Sequence, residues 1–515
     1  MARSTLILSQ PLVYRTAAAA GAPERCDILI VDGKIAALRP DLAVSWADRR
    51  PIPELGGRPV DRVVDCSGLM ALPGFVSAHY HSHDVLLRGS FESMPLDFWA
   101  AHALPQSFPK RSTEEIRIRT LLGAMECLRG GITTVQDLLT LHPFDETHLE
   151  AALQAYEDIG IRCVFALQIG DRLRSGAVPF WDDLVPPEAD AEIGGYSADV
   201  AADELLARVE AAAKAHAGRH RRITWALGPS GPERCSPKLL AGLADIAERL
   251  GLRMFTHIYQ AKAEAVVARS NYAAHKHSLV HYLKDCGALT PRMGLVHNIW
   301  MAPQEVDLVG ESGASMILNP ASNIKTRSGI APIARLRAAP VNLALGTDNC
   351  SCSDAQSMFQ AMKLFSILPG VVDPLAGTPP ARDALRAATL GGAAALGLAG
   401  IVGDIDIGMA ADITLLDLSD PIYHPLNDPA RQVVYAEAGR GVRTVLVDGE
   451  IVVSDGKLVS VDEAAIYREL LALTPRLRED AAAVKARMQK LASYYEKVFE
   501  RALAYELEFD RYASR

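Results

Sequence analysis

Leu72-Pro73-Gly74-Phe75-Val76-Ser77-Ala78-His79-Tyr80-His81 is an apolar run that ends in two histidines separated by one residue. A strand turns alternate side chains to the same face, so His79 and His81 project two imidazoles together. Neutral imidazole is the commonest protein ligand for a divalent metal. One such pair at a strand end is often merely solvated, but three later segments repeat the pattern. His257 closes Arg253-Met254-Phe255-Thr256-His257, and His297 closes Met293-Gly294-Leu295-Val296-His297. Asp348 follows Val341-Asn342-Leu343-Ala344-Leu345-Gly346-Thr347. Each short apolar run thus ends in a side chain of the kind that ligates metals.

Outward from these segments, β-rich runs alternate with Ala/Leu/Glu/Arg-rich helical runs from residue 73 to about 400. Candidate strands end near His81, Asp137, Gln168, Gly228, His257, His297, Asn319 and Asp348. Stretches such as Ala201–Ala217 and Pro237–Leu250 read as the helices between them. Parallel strands need crossovers, usually helical, and this many strand–helix units predict an α/β fold of the (β/α)8 TIM-barrel type. All four candidate ligands then fall at C-terminal strand ends, the face that carries chemistry in that fold. Residues 1–72 and 402–461 read instead as short strands with turn signals, such as Asp32-Gly33 and Asp448-Gly449. They are expected to pair into one discontinuous β-sandwich flanking a barrel of residues 73–401. Residues 462–515 predict a C-terminal helical extension, with Val484, Met488, Leu491, Tyr495 and Val498 forming one apolar stripe. That stripe packs either on its own barrel or against another subunit.

A chain of 515 residues with 49% hydrophobic composition accommodates a large barrel plus an accessory domain. The net charge of −9 is modest and no lysine- or arginine-rich block occurs, so neither nucleic acid nor a membrane surface is an expected partner. The eight cysteines lack paired CxxC spacing, which supports neither a disulfide scaffold nor a zinc ribbon. Cys350 and Cys352 read as incidental packing rather than as ligands. No apolar stretch reaches the length of a membrane span, and Met1 to Leu8 lacks the apolar core of a secretory signal. A cytoplasmic protein is the expectation.

The Pro-Gly-Phe-Val-Ser-Ala-His-Tyr-His-Ser-His segment, Gly131–Asp137, the His257 and His297 strand ends, Asn319-Pro320 and Gly346-Thr347-Asp348 together resemble the amidohydrolase superfamily. The branch of triazine hydrolases and cytosine deaminase-like enzymes is the nearest in pattern. The resemblance runs from about residue 25 to about 458, through Gly408-Met409-Ala410-Ala411-Asp412. It implies one divalent metal per subunit, zinc with iron as the alternative, held by His79, His81, His257 and Asp348. His297 would sit beside the attacking water or the attacked atom and donate a hydrogen bond there, and Asp348 would accept the water's proton and return it to the leaving group. Superfamily members with two metals usually carry a carboxylated lysine on the fourth strand. Ile223-Thr224-Trp225-Ala226-Leu227-Gly228-Pro229-Ser230 contains no lysine, so one metal is expected. The His-x-Glu and Pro-Cys-x-x-Cys signature of the unrelated zinc deaminases is absent.

The chain departs from the branch at one place. The glutamate that usually follows the fifth-strand histidine by three residues is here Gln260, in His257-Ile258-Tyr259-Gln260. Glutamine forms hydrogen bonds but does not titrate. Either the substrate needs no protonation there, or another residue supplies the proton, or catalysis is weak. Arg88 and Trp99, in the segments after the first strand, are candidate substrate contacts, as are Gln168, Trp300 and Asn323. His83 is a candidate pocket residue. The reaction implied is replacement of an amino or alkylamino group on a small nitrogen heterocycle by hydroxyl. A dechlorinating or exocyclic-amide hydrolase is the alternative, and a catalytically silent metal-binding barrel the other class. Relatives commonly form homodimers or higher homo-oligomers.

Overall fold

Eight runs of mainly apolar residues form parallel strands β1 (Phe75–His81), β2 (Ile132–Leu139), β3 (Arg162–Ile169), β4 (Ile223–Pro229), β5 (Arg253–Ile258), β6 (Met293–His297), β7 (Ser315–Leu318) and β8 (Asn342–Leu345). Strands buried on both faces need not alternate in polarity, and these scarcely do. The structure is a computed structural model that describes residues 5–17, 22–172, 177–189, 200–375 and 377–512. Each strand pairs with the next in the chain, and a two-residue ninth strand, Asp348–Asn349, returns to pair with Tyr80 and His81 of β1. The sheet therefore closes on itself as a TIM-type barrel. Its closure brings Asp348 beside the two histidines that end β1.

The barrel interior is filled by one or two side chains from each strand, including Val76, Ala78, Leu138, Ala166, Phe255 and Ile317. Strict alternation would then send His79 outwards, because Ala78 already faces in. The register between β1 and β2 shifts by one residue between Ser77 and Tyr80. This bulge re-aims His79 and His81 at the barrel axis, a common use of an extra residue beside an active site. At the end of β6 a different device has the same effect. Val296 belongs to the inner cluster, and His297 is also turned inwards by a φ of 80°.

Both ends of the chain contribute to one seven-stranded sheet, in which Leu69–Pro73 runs antiparallel to Ile413–Asp417. A four-stranded sheet of Thr5–Ser9, Asp27–Val31, Lys34–Arg39 and Arg62–Asp65 lies beside it. Asp32 and Gly33 turn between two of these strands with φ of 54° and 82°, the left-handed pair that a two-residue hairpin demands. Arg162 on β3 ties the barrel to the mixed sheet. Its Nε and one terminal nitrogen each donate to Asp412 at 3.0 Å, with both side chains buried. Removing one partner of a buried pair strands the other charge. Arg162→Met is therefore expected to destabilise the fold by about 3–5 kcal/mol, read from the denaturation midpoint.

Three helices matter for the site: α1 (Leu96–Ala103), α2 (Lys262–Asn271) and the long C-terminal α3 (Glu463–Ala504). Asp462 caps α3 by accepting the Ala465 N–H at 3.0 Å. The stripe of Val484, Met488, Leu491, Tyr495 and Val498 is buried in one cluster with Leu96 and Trp99 of α1. The Phe98 and Tyr495 rings meet at 5.5 Å, and Lys262 donates to the Leu503 carbonyl. The apolar stripe thus covers the helices above the barrel mouth. Among the described residues no helix is long and apolar enough to cross a membrane.

Candidate metal centre

The side chains of His79, His81, His257, His297 and Asp348 converge at the C-terminal rim of the barrel, all of them buried. Nε2 of His79 and of His81 lie 3.4 and 3.5 Å from Asp348 Oδ1. Nε2 of His257 is 3.3 Å from that of His81, and Nε2 of His297 is 3.9 Å from Asp348 Oδ2. Ligand atoms of His79, His81 and Asp348 lie within 4.8 Å of one another, as do those of His79, His257 and His297. His79 is common to both sets.

Close approach of backbone makes this convergence feasible. A Cβ on Gly346 would fall 2.4 Å from Asn319 Oδ1 and 2.7 Å from the His79 carbonyl, so only glycine admits β8 so near β1. Asp348 itself has a φ of 62°, a left-handed conformation uncommon for non-glycine residues but more accessible to aspartate than to most.

Outer hydrogen bonds set the imidazole tautomers. His81 Nδ1 donates to the Leu138 carbonyl and His257 Nδ1 to the Ser230 carbonyl, both at 2.6 Å. His297 Nδ1 donates to Asn323 Oδ1 at 2.9 Å. Each Nε2 is left with its lone pair directed at the centre, the usual second partner of a metal-ligating histidine. Nε2 of His79 and of His297 are buried without any hydrogen-bond partner. Burial, reinforced by His79, lowers His81 to about 3, and burial outweighs the pull of Asp348 to lower His297 to about 4. Burial likewise pushes His257 well below its ordinary value, with His79, His81 and His297 adding to the effect. Burial alone would raise the Asp348 carboxyl, but His79, His297 and His81 hold it well below the usual carboxylate range. Neutral imidazole lone pairs, an ionised carboxylate and orphaned buried nitrogens form a donor set that fits a divalent cation.

His297 Nδ1 also lies 3.4 Å from Asn319 Nδ2, so Asn323 and Asn319 pull its tautomer in opposite directions, the nearer Asn323 oxygen favouring a proton on Nδ1. With its proton on Nδ1, the neutral ring presents an acceptor to the centre and not the expected donor. Asn323, expected to meet a ring substituent of the substrate, instead holds His297 in that tautomer. Arg88 also points elsewhere. Its guanidinium pairs with Glu126 and donates to Cys350 Sγ at 3.1 and 3.2 Å, which satisfies its charge away from the histidines. Trp300 is fully buried, donates to the Ser328 carbonyl at 2.7 Å and packs on Tyr512, because the chain turns away from the rim after His297.

Trp99, Gln168 and Gln260 do line the cavity above His81, His257 and Asp348. The Trp99 indole N–H is fixed by Ser351 Oγ at 2.9 Å, and Gln168 is held by Ser230 and Thr140. His83 lines the same cavity, its ring 4.8 Å from that of His81. Four charged residues that sequence reasoning missed share this wall: Asp97 on α1, Glu233 and Arg234 in the turn after β4, and Glu264 on α2. Leu104, Gln168 and Arg234 also line a second hollow of about 370 Å³, whose wall includes Arg172 and Arg208.

A profile of the amidohydrolase family matches residues 70–452. The chain belongs to the amidohydrolase family. It is 31% identical over 451 residues to a 5'-deoxyadenosine deaminase of Methanothermobacter thermautotrophicus, covering 86% of this chain and 93% of the relative. It is 29% identical over 419 residues to a 5-methylthioadenosine/S-adenosylhomocysteine deaminase of Moorella thermoacetica, covering 81% and 90%. Among solved structures, an adenosine deaminase of Xanthomonas campestris with bound zinc superposes with a TM-score of 0.77 at 26% identity, over 95% of this chain and 99% of that one. The atrazine chlorohydrolase of Arthrobacter aurescens shares the fold, with a TM-score of 0.79 at 24% identity, over 91% and 99%. This amidohydrolase is a metal-dependent enzyme that hydrolyses carbon–nitrogen bonds other than peptide bonds. The His/Asp cluster supports a single metal.

Proposed function

We propose that this amidohydrolase releases ammonia or an amine from a small nitrogen heterocycle, with an adenosine-type aminopurine as the first substrate to test. The observation that carries the reading is the buried convergence of His79, His81, His257, His297 and Asp348 in a family whose similar members are named as adenosine-derivative deaminases. His79, His81, His257 and Asp348 are assigned as ligands of one divalent cation, zinc with iron as the alternative. A cation held there lowers the pKa of water toward neutrality. His297 accepts a hydrogen bond from the attacking water and orients it. Asp348 takes a proton from that water as it adds to the electron-poor ring carbon, then passes the proton to the departing amine. Trp99 offers an aromatic face to a planar ring, and the hollow beyond Gln168 offers room for a sugar and its substituent. Eight unpaired cysteines suit a reducing compartment, so the cytoplasm is assigned, with a homodimer or higher homo-oligomer as the working state.

Metal analysis of the purified enzyme, coupled to ammonia release on aminopurine nucleosides, pterins, pyrimidines and triazines, tests this reading. Ammonia from an aminopurine, with about one metal per chain, is the expected result. Chloride release from a chlorinated ring without ammonia from any amine would move the assignment to dehalogenation. Stoichiometric metal with no turnover on any compound would leave only a silent barrel.

A further inference from the structure

Gln260 cannot give or take a proton, yet it stands on the same cavity wall as two carboxyl groups. Glu264 lies one helical turn farther along the chain, in the first turn of α2, and its Oε2 accepts the Gln260 N–H at 2.9 Å. Glu233 accepts from Arg234 Nε at 2.6 Å through Oε1, whereas its Oε2 is buried without a partner. Glu233, paired with Arg234, and Glu264 thus line one cavity wall, and Asp97 on α1 adds a third acidic group to it. His81, His83, His257 and Asp348 complete the ionisable lining. Like charges in a dry site cannot all ionise, so one proton stays among the carboxyls.

We propose that Glu264, held by the Gln260 N–H on the cavity wall it shares with Glu233 and Arg234, is the proton donor to the substrate's ring nitrogen, the task for which Gln260 lacks a titratable group. This rests on the aminohydrolase reading. Burial first, then the Glu233 charge, raises Glu264 to about 8 against the pull of Arg234, which keeps it protonated and able to donate at neutral pH. As the carbon–oxygen bond forms, the π pair of the adjacent C=N moves onto nitrogen, which takes the Glu264 proton. Asp348 takes the water's other proton. On collapse the carbon–amine bond breaks towards the amine, which takes the proton from Asp348. The ring C=N re-forms, the ring nitrogen returns its proton to Glu264, and the product leaves as its hydroxyl tautomer. Both carboxyl groups end as they began.

The test is the pH–rate profile of the metal-loaded enzyme on an aminopurine nucleoside. Glu264→Gln should lower kcat/KM by about 10²–10³-fold and abolish an alkaline limb centred near pH 8, with metal content and circular dichroism unchanged. Glu264→Asp should recover part of the rate and the limb. Glu233→Gln should move the limb to lower pH, because the like charge that retains the proton is gone, a shift no purely structural role produces. A parent enzyme with no amine release defeats the aminohydrolase reading. An active parent whose Glu264→Gln variant keeps both rate and limb defeats this proposal alone. Should that variant fail to fold, infrared spectroscopy of the parent decides: absence of a protonated carboxyl band that titrates near pH 8 overturns the assignment.

Discussion

Asp348→Asn is expected to lower kcat by about 10⁴-fold, the upper end of what a general acid–base residue contributes. The substitution is nearly isosteric, and asparagine tolerates the left-handed φ of 62° better than any other residue except glycine. Backbone closure onto Tyr80 and His81 should therefore survive. What changes is chemistry. Ser322 Oγ donates to Asp348 Oδ2 at 2.5 Å and the Asn349 N–H donates to Oδ1 at 2.8 Å. These two donors suit an ionised carboxylate. An amide can neither take the water's proton nor hand it to the amine, and it brings one negative charge fewer to a cation. Single-turnover kinetics with a metal count on the same sample separates the two losses. Retained metal with turnover within tenfold of the parent would exclude Asp348 as the proton carrier.

The barrel was legible because its buried strands leave compact apolar signatures and because four of them end in ligand-type side chains. Such a strand end constrains where Cβ points, so His79, His81, His257, His297 and Asp348 were found from spacing together with the family resemblance. The bulge that re-aims His79 was not legible, since an extra residue in a buried strand leaves no trace in polarity. Arg88, Trp300 and Asn323 mark a second limit. All three lie beyond strand ends, where chain direction is set by turns and by competing partners. Arg88 met Glu126, Trp300 met a carbonyl, and Asn323 met His297 before any could reach the cavity. Glu264 is the converse case. Its signal was present, a glutamate four residues after Gln260, but it counts only once a helix is known to begin at Lys262 and fold the Glu264 carboxylate back onto the Gln260 N–H. Glu233 and Arg234 gave no such signal, because the short turn that contains them has no sequence period to read.

His79→Ala is expected to weaken metal binding by more than about 100-fold, the upper loss seen when merely an outer partner of a ligand is removed. His79 is the side chain common to both ligand groups, is fully buried, and has no hydrogen-bond partner on either ring nitrogen. Its Nε2 faces Asp348 Oδ1 at 3.4 Å, so a cationic partner held between the two would satisfy both buried groups. Binding of that partner to the folded state raises stability by mass action. Two readouts follow from one variant. Dialysed His79→Ala should carry almost no metal and show no turnover, and adding excess zinc or iron(II) should restore little of either. The parent should lose several degrees of thermal stability on chelation and regain them with metal, whereas the variant's melting temperature should respond to neither treatment. A variant that keeps its metal and its chelator-sensitive melting would place the ion on another subset of these side chains. With activity also intact, His79 would have no role in the centre at all.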